Sequence, residues 1–536
     1  MKSVFSFLLA QLIMLTGLMA QDPLWGLSYG SSGFDYIADM IVDHAGDIIV
    51  TGHFTGDLVI DGTTVNQVDG DEVYILKTDA AGNLLWYHTF LGTGTDRPGG
   101  LAVDASNNIF LAGYFYDDLD VDGQSLMSQG NADAYLLKIA PNGNIVATLP
   151  ISSPDQVRAG AIYHTGDELL IAGSFRSSLT LGGTTLESNG ETDIFLAAMN
   201  PNNGSINWAR SFGGAGYDWF GKIEKSPSGA IYAVGRLGDD AYLGNLEANV
   251  VVGSEAFALK MDATGEPQWV VMLEGEGASD DAFDLALDAD ENLYIAGKAS
   301  DDLMVFSTEY LYNFGAEGYL LSLNKDGDFR WMQMTYTEGT SIFFGVVLNS
   351  AQNRVYAAGS VHDGAAFNGS HEFTGIEDVG LGIVTFDTEG TYLESVVLDG
   401  PGFDYAAALA TDGTDLYVGG TYGEGFAPAN LGTYGSEGQT DCFVGRLDVE
   451  AVPNNLSEAV SPVALMHWNM HQQELQITLS EEGPADVQIW SMTGTLLANR
   501  SFRREMNWTL ALPVGLYAVT VESVSGSYTK LIQVLR

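Results

Sequence analysis

Cysteine is almost absent: Cys442 is the only one in 536 residues, which excludes an intrachain disulfide framework and a cysteine-ligated zinc site. In "TDCFVGRL" it suits a small, buried apolar role. Basic residues are scarce as well. Against 70 Asp and Glu stand 21 Lys and Arg, a net charge of −49 that is spread along the chain rather than held in a tail. Such a surface repels nucleic acid and anionic lipid, keeps the protein soluble, and favours cations, basic partners or uncharged glycans. The eight histidines are scattered, and His467 and His471 lack the glutamate and third ligand of a zinc protease. There is no Gly-x-Ser-x-Gly elbow and no phosphate loop, and so many acids give no reason to choose one pair as that of a glycosidase.

Long apolar runs are missing after the first twenty residues. That opening stretch, "MKSVFSFLLAQLIMLTGLMA", has a lone Lys2, an apolar run and Ala20 before the polar Gln21. It reads as a secretory signal peptide over residues 1–20, so the mature protein is expected to be exported, extracellular or at the outer cell surface, with no transmembrane segment after signal removal. No cysteine near the cleavage point offers a lipid anchor.

What the sequence has is repetition. "GDIIVTGHF" returns as "NIFLAGYF", "ELLIAGSF", "AIYAVGRL", "NLYIAGKA", "RVYAAGSV" and "DLYVGGTY", and the aligned glycines, Gly52, Gly113, Gly173, Gly235, Gly297, Gly359 and Gly420, lie 60 to 62 residues apart. Each unit alternates as strands do, with β-branched and aromatic residues between short glycine turns. Four antiparallel strands per unit make a blade, and seven units predict a seven-bladed β-propeller over residues 21–450. Tryptophan opens the fourth strand at Trp86, Trp208, Trp269 and Trp331, each 27 or 28 residues before the next aligned glycine. The seventh unit lacks that strand, and Trp25 lies 27 residues before Gly52, so the N-terminal strand is expected to complete the last blade.

On "FGGAGYDWFGKIEKSPSGAIYAVGRL" and "YGSSGFDYIADMIVDHAGDIIVTGHF" the units resemble the bacterial β-propeller repeats called SBBP. The resemblance implies the fold and a surface or extracellular binding protein, and brings no common reaction. After a polar linker over residues 451–462, residues 463–536 lose the period and alternate as short strands, a small β-sandwich by pattern. "VQIWSMTGTLL", "LPVGLYAVTV" and "KLIQVLR" in that order resemble the C-terminal sorting domain of the type nine secretion system of Bacteroidota. That implies the outer-membrane secretion machinery as a partner and the tail as an export address.

Acidic residues recur in register. Asp35, Asp96, Asp155, Asp218, Asp280 and Asp404 stand at the start of the first strand, and Glu72, Asp133, Asp193, Glu255, Glu317, Asp378 and Asp441 at the start of the third. First and third strands run the same way, so both series are expected on one face, which also carries the long connections where binding usually resides. Clustered carboxylates suit a hard cation such as calcium, with Asp218 and Asp280 as candidate ligands. Alternatively each acid accepts backbone hydrogen bonds and fixes blade geometry, which regular recurrence favours. Beside these acids, Tyr36, Trp219 and Phe403 are either platforms for sugar rings or packing between blades, and packing is the expectation. Arg97 stands alone among the equivalent positions. The functional expectation is a propeller, more a binder than an enzyme, engaging a glycan, protein or matrix component; an extracellular hydrolase or lyase acting on polysaccharide and a structural surface coat are the alternatives.

Overall fold

The computed structural model describes residues 25–447, apart from short stretches within 240–252, 276–278, 301–315, 337–338, 368–377, 401 and 424–437, together with the strands between 464 and 534. The expected signal peptide and linker lie outside the described residues. The chain divides into two compact units, Met1–Glu450 and Ala451–Arg536. Every described element is a β-strand, and no helix among the described residues is long and apolar enough to cross a membrane.

The first unit is propeller-like. Its repeat begins with an inner strand, Asp35–Val42, followed antiparallel by Ile48–Phe54, Glu72–Thr78 and Leu84–Gly92. Among the described residues this order recurs through inner strands at Arg97–Val103, Gln156–His164, Trp219–Lys225, Asp281–Leu287, Ile342–Leu348 and Tyr405–Thr411. Each inner strand contacts that of the next repeat, and the seventh contacts the first. The second and third strands carry continuous apolar runs because both of their faces are covered: all of Ile48–Val50, Val73–Leu76 and Ile194–Met199 are buried. Apolar clusters then fill the space between neighbouring repeats. One joins Ile37, Met40 and Tyr74 of the first repeat to Ala408, Tyr417, Cys442 and Val444 of the seventh.

In the seventh repeat the strand Gly26–Tyr29 pairs with Asp441–Leu447, which pairs in turn with Leu416–Tyr422 and through it with the inner strand. Trp25 donates from Nε1 to the Ala80 carbonyl at 2.9 Å, in the third-to-fourth strand turn of the first repeat. Trp86, Trp269 and Trp331 make the same bond to Pro141, Lys325 and Thr388 of the repeat that follows each of them. Each of these rings lies against the turn glycine, Gly82 under Trp25 and Gly390 under Trp331, where φ values of +82° and +80° and the ring itself both exclude a side chain.

The repeated strand-two glycine has its own cause. Tyr74 and Tyr319, on third strands, reach across Gly52 and Gly297 to donate to the inner-strand carbonyls of Tyr36 and Asp281, both at 3.0 Å. A Cβ at either glycine would overlap the phenol and that carbonyl.

The second unit holds two antiparallel sheets. One orders Ala464–Asn469, Glu474–Leu479 and Glu505–Thr509; the other orders Leu496–Arg503, Pro484–Ser491, Gly515–Ser523 and Gly526–Val534.

Candidate functional site

The recurrent acids accept backbone hydrogen bonds. Asp96 accepts from the Tyr116 amide at 3.1 Å, Asp218 from Gly238 at 2.7 Å, Asp280 from Ser300 at 2.8 Å and Asp404 from Gly423 at 3.0 Å. In each case the donor is the third residue after the aligned glycine, so one carboxylate oxygen fixes the exit of the second strand. Asp218 also accepts from Gly214 at 2.9 Å, and Asp35 from Ser31. In the sixth repeat the buried Ser341 takes the place, its hydroxyl accepting from the His362 amide at 3.3 Å. The third-strand series behaves alike: Glu72 accepts from Val68, Asp69 and Gly92, and Asp133 from Gln129 and Ser153. Among the described residues no group of three or more His, Cys, Asp or Glu is placed to hold a metal ion, and the Asp218 oxygens face backbone donors.

The structure corrects one member of the first series. Asp155 lies two residues upstream of the equivalent position, which Val157 occupies, buried in apolar surroundings. Half-buried Asp155 instead accepts from the Asn131 side-chain amide at 2.7 Å. The shift also removes the singularity of Arg97. Arg97 pairs with Tyr114, the residue after Gly113, and Arg158 pairs with Ser174, the residue after Gly173. The two arginines are therefore equivalent, in adjacent repeats.

A bulge follows these positions in all seven inner strands: the register slips between Ile37 and Asp39, Pro98 and Leu101, Ala159 and Ala161, Phe220 and Lys222, Ala282 and Asp284, Phe343 and Gly345, and Ala406 and Ala408. A bulge re-aims side chains, and the extra residues here line one cavity of about 340 Å³ to which every repeat contributes. Its wall is asymmetric. Ala38, Gly99, Gly160 and Gly221 leave one side open, while Phe283 and Phe344, with centroids 5.1 Å apart, extend an aromatic chain from Trp219 at 6.0 Å to Tyr405 at 6.0 Å. All four of these rings are half-buried.

Further aromatics stand on the rim. Phe403 is 67% exposed, Tyr217 56% and Phe34 44%, each directly before an acid of the first series. The expectation that Phe403 packs between repeats therefore fails: its ring is largely exposed, next to the buried Asp404. Tyr36 stacks on His53 at 4.9 Å and faces Phe34 at 6.4 Å.

Cations gather at one level of this end. The seven residue pairs just before the bulges are Tyr36 with His53, Arg97 with Tyr114, Arg158 with Ser174, Trp219 with Arg236, Asp281 with Lys298, Ile342 with Ser360 and Tyr405 with Thr421. Four of these pairs contain a cation, and the only anion among them, Asp281, is paired with Lys298. Asp281 serves both Arg236 at 3.0 Å and Lys298 at 3.1 Å, and Arg97 holds Asp71 at 2.5 Å. Burial, then the Arg97 charge, lowers His53 to about 4, so its ring is neutral at pH 7. Deeper in, Lys222 meets Asp39 at 3.4 Å, and burial with the Asp284 charge raises Glu224 to about 8. Sequence reasoning found Tyr36, Arg97 and Trp219 here but missed Arg158, Phe283, Phe344 and Arg236.

No family model matches the chain, and no curated protein matches it. Among solved structures it is similar to Pyrococcus horikoshii acylaminoacyl peptidase, at 10% identity and TM-score 0.38 over 83% of this chain and 58% of that one. The chain thus spans little more than half of that enzyme. It is also similar to a Synechocystis apocarotenoid oxygenase mutant, at 10% identity and TM-score 0.37 over 96% of this chain and 97% of that one. A third similarity is to xylan beta-1,4-xylosidase from Bacillus halodurans, at 10% identity and TM-score 0.28 over 81% and 97%. Likenesses this distant carry no argument about activity.

Proposed function

We propose that the repeats form a seven-bladed β-propeller, closed by the strand Gly26–Tyr29, that binds a glycan where its inner strands converge. The protein acts outside the cell or on its surface, and the C-terminal unit is its sorting domain for the outer-membrane secretion machinery. The observation that carries the binding reading is the aromatic chain Trp219, Phe283, Phe344 and Tyr405, half-buried opposite a wall of glycine and alanine. Half-exposed rings beside a cavity offer the flat apolar faces that sugar rings stack on, and the glycines let a chain approach the backbone. The Trp219→Ala variant is expected to lose about tenfold in affinity, the equivalent of ~1.4 kcal/mol, for whichever polysaccharide the full chain retains on a glycan array, at an unchanged melting temperature. Equal affinity in the variant, or no retention of any glycan by the parent protein, contradicts the proposal.

One observation favours a second reading, an enzyme acting on polysaccharide. His53 is held neutral beside Tyr36 and Arg97, the state a general base requires. New reducing ends or unsaturated products from a retained polysaccharide, abolished in His53→Ala, would establish it; an intact polymer after prolonged incubation would remove it.

A further inference from the structure

Arg158 differs from the other cations at this end. Arg97, Arg236 and Lys298 each face a carboxylate at 3.1 Å or less. Arg158 has none within ion-pair reach among the described residues. Its guanidinium lies over the rings of Tyr114 at 4.8 Å and Tyr116 at 5.8 Å, Nη2 donates to the Tyr116 hydroxyl, and the buried Nε has no hydrogen-bond partner among the described residues. In a chain with 70 acidic side chains, an arginine held by tyrosines rather than by a carboxylate is a charge kept open. The open charge is also placed. Arg158 borders both the 340 Å³ cavity with Trp219 and an adjoining groove of about 530 Å³ that holds Arg97, Tyr114 and Tyr116, with Asp69 and Asp117 also in its lining.

We infer that Arg158 receives the single anionic group, carboxylate or sulfate, of an acidic sugar whose ring stacks on the aromatic wall. A guanidinium fork matches a carboxylate or sulfate edge with two parallel hydrogen bonds, and cation–π contact with tyrosine holds the fork in place. The inference rests on the glycan-binding reading and names its ligand class. The net charge of −49 sets the ligand's charge density. At physiological ionic strength the screening length is about 8 Å, so Arg158 acts on a group within its reach while a densely charged polymer meets Asp69 and Asp117 in the groove and the acidic surface beyond it. The ligand is thus a sugar chain with isolated anionic groups.

The test uses the full chain, with binding followed by isothermal titration calorimetry at ionic strength matched with sodium chloride. The probes are glucose, sodium glucuronate, glucose 6-sulfate and N-acetyl-aspartate. Glucuronate or glucose 6-sulfate is expected to bind at least tenfold more tightly than glucose, and whichever binds better identifies the anionic group. Arg158→Gln is expected to abolish the difference and Arg158→Lys to restore part of it, with the melting temperature of each variant confirming the fold. Acidic sugars that bind no better than glucose overturn the inference. If Trp219→Ala still weakens glucose, the glycan-binding reading survives that failure; if no sugar probe binds and the array is empty, both fall. N-acetyl-aspartate that matches glucuronate, with the same dependence on Arg158, overturns the assignment to a sugar in favour of an acidic peptide.

Discussion

Deletion of residues 25–30 from the full chain is expected to lower the melting temperature of the first unit by about 5 °C or more and to expose a pairing edge. The segment is short, but its side chains are well used. Tyr29 is buried and meets Tyr74 edge-on at 5.3 Å; Trp25 packs on Tyr417 and Gly82 and donates to Ala80. Full burial of one large apolar side chain is worth about 1.5–3 kcal/mol, so buried Tyr29, half-buried Trp25 and four ladder pairs together amount to several kcal/mol. In a unit this large each kcal/mol moves the melting temperature by only ~1–2 °C, smaller than in domains of half the size. The strand Asp441–Leu447, otherwise covered on that side, then becomes an edge that invites association between copies. Calorimetry with size-exclusion chromatography reads both effects. A deletion variant that melts like the parent and stays monomeric contradicts closure by this strand.

The second large effect is on pH. Burial raises Asp96 from the ordinary 3.8 to about 8, Asp35 to about 7, and Asp218 and Asp404 to about 6. Neighbouring acids add to this, Glu72 at Asp96 and Asp193 at Asp218. A carboxyl whose folded pKa lies above its unfolded one favours the folded state fully below about 3.8 and loses that contribution as pH rises through the folded value. A carboxyl whose folded and unfolded pKa values differ by one contributes about 1.4 kcal/mol in this way. The melting temperature of the full chain is therefore expected to fall between pH 5 and pH 8.5. Asp96→Asn, which keeps the shape without the charge, should fall less over the same range because the Asp96 Oδ2 is buried without a hydrogen-bond partner among the described residues. A melting temperature that rises over this range, or an Asn variant with the parent's slope, contradicts the assignment.

The architecture was legible because its determinants are periodic. A tyrosine crossing a strand-two glycine and a tryptophan over a turn glycine recur at fixed spacing, so the pattern is visible without contacts. The acids were legible as a series but not as a role, since a carboxylate that fixes a strand exit and one that binds a cation look the same in sequence. The site was harder to see for two physical reasons. The bulge adds one residue to each inner strand and turns it toward the cavity, which alternation cannot show, so Phe283 and Phe344 read as ordinary strand residues. In the third repeat Asp155 mimics the recurrent acid two positions early, which moved Val157 and Arg158 out of alignment and made Arg97 look unique. The one available signal was Arg158 two residues before "GAIY", matching Arg97 two residues before "GGLAV".

Whether ligand sits where the seven inner strands converge is tested most directly by footprinting. The full chain is labelled by a diffusible carbene with and without the polysaccharide it retains best, and the labelled peptides are mapped by mass spectrometry. Protection of Trp219, Phe344, Tyr405 and the Tyr114–Tyr116 segment is expected, with the outer strands unchanged. Protection confined to the outer strands or to the C-terminal unit would contradict it.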